Sequence, residues 1–158
     1  MLIPELAIII MFVASVIIGY YTMPIILGFN SPNIRHHTNK VLSSLLMGFL
    51  MAIVELFMHA NMLSLPRLIT YFSILWLCTV VLYNAIKEQW FVDERAFLNG
   101  MIEHHAMGIS MAYPYVHLHP KDIGNPNAEE LNKLAIAIYD VQNKEIKQMD
   151  TMLRQMPK

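Results

Sequence analysis

The chain has 158 residues, of which 56% are hydrophobic and only 15% charged, oilier than an ordinary soluble domain at roughly 45–50% apolar, so a membrane protein is expected. Eleven basic and twelve acidic residues give a net charge of −1 with no basic run, which excludes the electrostatic footprint of a nucleic-acid binder. The single cysteine, Cys78, excludes an intrachain disulfide; inside an apolar run it reads as a lipid-buried or helix-packing side chain.

From about Ile3 to Leu27 the only charge is Glu5, and the run is long enough for the ~20 residues that a ~30 Å hydrocarbon core requires. Met1 to Glu5 lacks the basic region of a secretory signal, so this first span is expected to be a retained anchor. Pro24 and Gly28 allow the helix to stop, and Asn30, Ser31, Pro32 and Asn33 begin a polar loop that reaches Lys40. A second span is expected over Val41 to Leu63 and a third over Leu68 to Ile86. The short connection through Ser64, Leu65, Pro66 and Arg67 makes them an antiparallel pair. Tyr20, Tyr21, Tyr71, Tyr83 and Trp90 fall near the span ends, as interfacial aromatic belts do, whereas Trp76 falls mid-span. Residues 1–88 thus read as a three-helix transmembrane anchor.

Beyond Lys87 the pattern turns amphipathic. Phe97, Met101, His104, His105, Gly108, Met111 and Ala112 recur at helical spacing. Pro114 and the stretch from His119 to Pro126 are expected to break this helix. A last helix then carries Leu131, Leu134, Ile138, Val141, Glu145, Met149, Met152 and Met156 at steps of three and four. The expected fold is all-α: three transmembrane helices, then a two-helix hairpin over residues 89–158. Two helices alone bury little surface, so the hairpin is expected to complete a four-helix bundle by association, as a homo-oligomer or with a membrane protein partner.

The segment Met101–Met111 is the most informative for chemistry, because imidazole suits copper, zinc, iron and nickel while thioether sulfur adds preference for Cu(I) and, by the same softness, Ag(I). His104, Met107 and Met111 form one helical stripe, and Met101 with His105 forms its neighbour. On the last helix Gln142, Glu145 and Met149 share a face that could present a carboxylate and a thioether to them. The candidate metal set is therefore His104, His105, Met101, Met107, Met111, Glu145 and Met149. A Met stripe at this spacing is more often gap-filling core, and paired histidines often only edge a helix; for the His pair flanked by Met the two readings stand level.

In the second span Glu55 and His59 lie one turn apart among Met47, Met51, Met58 and Met62, where an ionisable residue is a functional candidate and a packing hydrogen bond is its plain alternative. His36, His37, His117 and His119 read as surface loop residues. A di-iron carboxylate site needs Glu-x-x-His, but Glu55 to His59 is one residue too long and Glu103 adjoins His104. With no nucleophile motif, phosphate-cradling loop or dinucleotide fingerprint, nothing points to an enzyme.

Asp93, Phe97, Met101, Ile102, His104, His105, Ile109, Met111 and Ala112, followed by Leu134, Ala135, Ile138, Gln142, Glu145, Ile146 and Met149, resemble the family called domain of unknown function 305. The Met-Ile-x-His-His core and the later Gln-x-x-Glu-Ile-x-x-Met carry the likeness from about Gln89 to Met156. Leu46, Met47, Gly48, Met51 and Met58 resemble the Met-rich second span of its three-span members. The resemblance implies a ferritin-like helical bundle and, for some exported members, copper or silver binding and tolerance. Glu103 departs from the pattern, since many members have Pro before the His pair.

The resulting expectation is a membrane-anchored protein that sequesters or relays Cu(I) or Ag(I); the alternative is a structural or accessory subunit of a membrane complex. Its partners are the bilayer and a second copy or another membrane protein, in a bacterial-type inner or plasma membrane. Arg35, Lys40, Lys87 and Arg95 against Arg67 would keep the hairpin inside by the positive-inside rule. The resemblance implies the exported side; the two arguments disagree and leave the side open, with the exported side preferred.

Overall fold

The computed structural model describes residues 3–27, 31–118 and 126–157. Five helices follow in order: α1 Pro4–Leu27, α2 Thr38–Met58, α3 Leu65–Lys87, α4 Glu94–Leu118 and α5 Pro126–Gln155, with short 3-10 turns at Ser31–Asn33 and Ala60–Met62. Among the described residues there is no strand. The chain forms two compact units, Met1–Met23 with Thr38–Val92, and Pro24–His37 with Asp93–Lys158.

In the first unit, Pro4–Thr22, Thr38–Met58 and Leu65–Lys87 are long and apolar enough to cross a membrane. They expose large apolar side chains such as Ile9, Ile17, Leu50, Ile69 and Leu77, the outward face that a lipid-facing helix presents. The inward positions are small or hydroxyl-bearing: Ala52, Ser15, Ser44 and Thr79 are buried, with Leu56. Ser44 and Thr79 turn their hydroxyls back onto the Lys40 and Leu75 carbonyls, which satisfies them without a partner helix. Gly48 lets α1 come close: a Cβ there would stand 2.5 Å from Val16 Cγ2 and 3.0 Å from Phe12.

Helix α2 starts three residues before the expected span because Lys40 is accommodated inside it, buried, with its ammonium 5.1 Å from the Tyr20 ring centroid. A cation over an aromatic face offsets part of the desolvation that would otherwise exclude a lysine there. The turn after α3 holds Gln89 and Phe91 at φ of 54° and 61°. Thr38 Oγ1 donates to the Phe91 carbonyl and Asn39 Nδ2 to Gln89 Oε1, and these bonds hold the turn against its backbone strain.

In the second unit α4 and α5 pack as a hairpin around Ile102, Ala106 and Ile146, with Ile109, Met149 and Leu153 against them. Asp93 Oδ1 accepts the Ala96 amide at 2.7 Å and caps the start of α4. Pro126 opens α5, where its missing N–H is no loss. Pro114 does not end α4, contrary to expectation: the helix runs on to Leu118. Packing on both sides of the proline outweighs the lost hydrogen bond: before it Ala112 is buried and the Tyr113 ring lies 5.9 Å from that of Tyr139, and after it the His117 ring lies 6.4 Å from the same Tyr139 ring. The expected break from His119 lies largely outside the described residues.

The loop before α2 belongs to this second unit. Arg35 reaches across to Asp150 on α5 at 2.8 Å, and its backbone amide donates to Glu103 on α4 at 3.1 Å. The face of α5 that meets α4 carries Ala135, Ile146 and Met149, so Leu131, Leu134 and Val141, expected on the inner stripe, are exposed instead.

Candidate metal site

The seven candidate residues divide between the hairpin seam and its outside. His105, on α4, is anchored at both ring nitrogens: Nδ1 donates to the Met101 carbonyl one turn back at 2.7 Å, and Nε2 stands 2.8 Å from Glu145 Oε2 on α5. Carbonyl and carboxylate oxygens are both acceptors, so the ring satisfies them together only with a proton on each nitrogen. With one proton, on Nδ1, the bare Nε2 lone pair would face the carboxylate.

The imidazole of His105 is mostly covered while the Glu145 carboxylate is about half open, at 12% and 46% exposure, so the pair sits in the seam with an opening to solvent. Met101 shares the His105 face one turn earlier, and Met149 follows Glu145 by one turn but packs against the Ile102 cluster. His104 points outward and Met111 is 72% exposed; the His104 and His105 ring centroids are 6.2 Å apart and edge-on. The structure thus brings His105 and Glu145 into contact and leaves His104 and Met111 on the outer surface. Among the described residues, no group of three or more His, Cys, Asp or Glu side chains converges to hold a metal.

One turn beyond, Gly108 lets α5 approach. A Cβ there would meet the Gln142 amide, whose carbon would lie 2.8 Å away. Gln142 Oε1 is buried with no hydrogen-bond partner among the described residues, an unusual state for a buried acceptor. The spacing Gln142-x-x-Glu145 puts it one turn from the pair.

Glu103 takes a different role from its neighbours. It is 7% exposed, accepts the Arg35 amide, and lies 3.5 Å from His37 Nε2. His37 is therefore not a surface residue: its ring, 11% exposed, packs over Gly100. The only sequence signal was the lack of a side chain at Gly100 on the α4 face that the loop covers, and nothing local ties that position to residue 37. In the first unit Glu55 is buried and holds His59 Nδ1 at 3.3 Å, the internal pairing that an ionisable residue in a span requires.

An all-helical chain with three apolar helices of spanning length, followed by a His- and Met-bearing hairpin, is the class that this geometry defines. The chain belongs to the family described as a domain of unknown function (DUF305), which matches residues 86–153, the whole of α4 and nearly all of α5. It is also 30% identical over 149 residues to an uncharacterized protein of Acanthamoeba polyphaga mimivirus, covering 92% of this chain and 90% of that one. The likeness therefore extends past the hairpin into the apolar helices. No solved structure matches the chain.

Proposed function

We propose that this is a membrane-anchored metal-binding protein whose hairpin takes Cu(I) or Ag(I) as cargo, to sequester or relay it on the exported side of the membrane. The observation that carries it is the His105–Glu145 contact, with Nδ1 fixed by the Met101 carbonyl. Metal-binding imidazoles are commonly held in this way, the far nitrogen donating to a carbonyl so that the near one is aimed and basic. His105 would be the principal ligand, and thioethers from Met101 and Met149, one turn from the pair, would supply the softness that selects a monovalent ion. Glu145 would offset the ion's charge. His104 and Met111, both exposed, with the half-buried Met107 between them, would form the stripe through which ions arrive or pass to a neighbour.

Exposure of Leu131, Leu134 and Val141 along α5 supports the further reading that a second copy packs there to complete a bundle. Leu134→Glu would then shift detergent-solubilised protein to monomer in light scattering; an unchanged mass would remove the second copy.

The metal reading is tested on the intact protein in detergent, by anaerobic competition for Cu(I) against a chromogenic chelator. Sub-micromolar affinity that is lost in His105→Ala supports it. Weak binding, or binding indifferent to His105 and to a His104→Ala, His105→Ala double variant, overturns it in favour of a structural subunit whose Met residues fill an interface.

A further inference from the structure

At the opposite end of the hairpin from Pro114, the first turns of α4, the last turns of α5 and the loop before α2 enclose an open cleft of about 240 Å³ lined by Arg35, Arg95, Asn99, Asp150, Leu153 and Arg154. Three guanidiniums against one carboxylate leave the cleft with an excess of two positive charges. Such convergence carries mutual repulsion unless an anion offsets it.

Two of the three are held in place. Arg35 is fixed by Asp150 at 2.8 Å, and Arg95 donates to the Pro157 carbonyl at 3.1 Å. Arg154, at the end of α5, makes no ion pair among the described residues. Asn99, one turn on from Arg95, adds an amide to the same wall. The rigid fork of a guanidinium matches two oxygens of a phosphate, and cations already oriented by other contacts lose little entropy on binding one.

The position also bears on the source of the ligand. In the chain, Arg35 stands three residues ahead of α2 and Arg95 eight residues beyond α3, two of the helices long and apolar enough to span a membrane. The geometry points to a binding site for a phosphate group in the Arg35–Arg95–Arg154 cleft, carried by an anionic phospholipid headgroup. It lies ten residues, about 15 Å, along α4 from His105 and is independent of the metal reading.

The test is thermal unfolding of the full chain in a nonionic maltoside, with short-chain phosphatidic acid, phosphatidylcholine of the same chain length, or inorganic phosphate added. Phosphatidic acid is expected to raise Tm by about 5 °C at saturation. Phosphatidylcholine should raise it far less, and the gain should be lost in Arg154→Gln and in Arg95→Gln but kept in Arg67→Gln, whose arginine lies outside the cleft. Equal protection by inorganic phosphate, with the same dependence on Arg154, keeps the phosphate site and assigns it to a soluble ligand. A shift that survives Arg95→Gln and Arg154→Gln together, or no shift from any probe, overturns the proposal. Arg154 is exposed, so its substitution leaves the fold intact and a lost shift reports on binding.

Discussion

Glu103 and His37 meet at 3.5 Å with both side chains about nine-tenths buried, although 66 residues separate them in the chain. The same carboxylate accepts the Arg35 amide, so one residue of α4 fixes two points of the loop before α2.

Removing this carboxylate takes one acceptor from a part-buried amide and one neighbour from a mostly buried imidazole. Glu103→Ala is expected to destabilise the second unit by about 1–3 kcal/mol, the range for removing one polar partner from covered groups. Glu103→Gln keeps an oxygen acceptor for the Arg35 amide and should cost roughly half as much. Urea titration followed by far-UV circular dichroism in detergent checks this; equal midpoints for the wild type and Glu103→Ala would remove the loop from the account.

The helices were legible because their causes are local: apolar runs of spanning length, and apolar residues returning at steps of three and four, act within a few residues. What depends on contact between distant segments was not. His37 reads as a loop residue until Gly100 and Glu103 are seen to receive it. Pro114 reads as a stop because its local cost is visible and its packing is not. On α5 the apolar residues wrap more than one face, so periodicity alone could not tell the stripe of Ala135, Ile146 and Met149 from the exposed Leu131, Leu134 and Val141. Within the candidate metal set, spacing placed His104 and His105 together, but neighbours on a helix point about 100° apart, and only the position of α5 selects His105.

That selection separates the two histidines by experiment. His104→Ala should leave Cu(I) affinity within a few-fold of wild type, whereas Glu145→Gln, which keeps the shape but loses the charge beside His105, should weaken it by about 10–100-fold. Chelator competition on the single variants reads both. If His104→Ala abolishes binding and Glu145→Gln does not, the ion sits on the outer stripe and not in the seam.

Gly108 and Gln142 form a matched pair at the same seam. Gly108→Ala would drive a methyl into the Gln142 amide, and overpacking of this kind costs about 1–3 kcal/mol. Gln142→Ala removes both the collision and the unsatisfied Oε1, so the double variant should recover most of the loss. A double-mutant cycle of thermal unfolding measures the coupling; simple additivity would show that the amide moves aside freely.

The two glycines of the first unit make an opposite pair of predictions. At Gly48 a Cβ would press on Val16 and Phe12, and Phe12 is itself held against Phe49 with ring centroids 4.7 Å apart, so nothing can give way without parting α1 from α2. Close approach through a small residue is a main source of helix association where lipid competes for apolar surface, and Gly48→Ala should cost about 1–3 kcal/mol. At Gly19 the nearest atom is Met47 Sδ, 3.1 Å from the Cβ position, the end of a flexible side chain that is 39% exposed. Gly19→Ala should therefore be neutral, or stabilise by up to about 1 kcal/mol through helix propensity. Thermal unfolding in detergent orders the two variants; Gly19→Ala falling below Gly48→Ala would mean that the contact at Gly48 does not hold the pair.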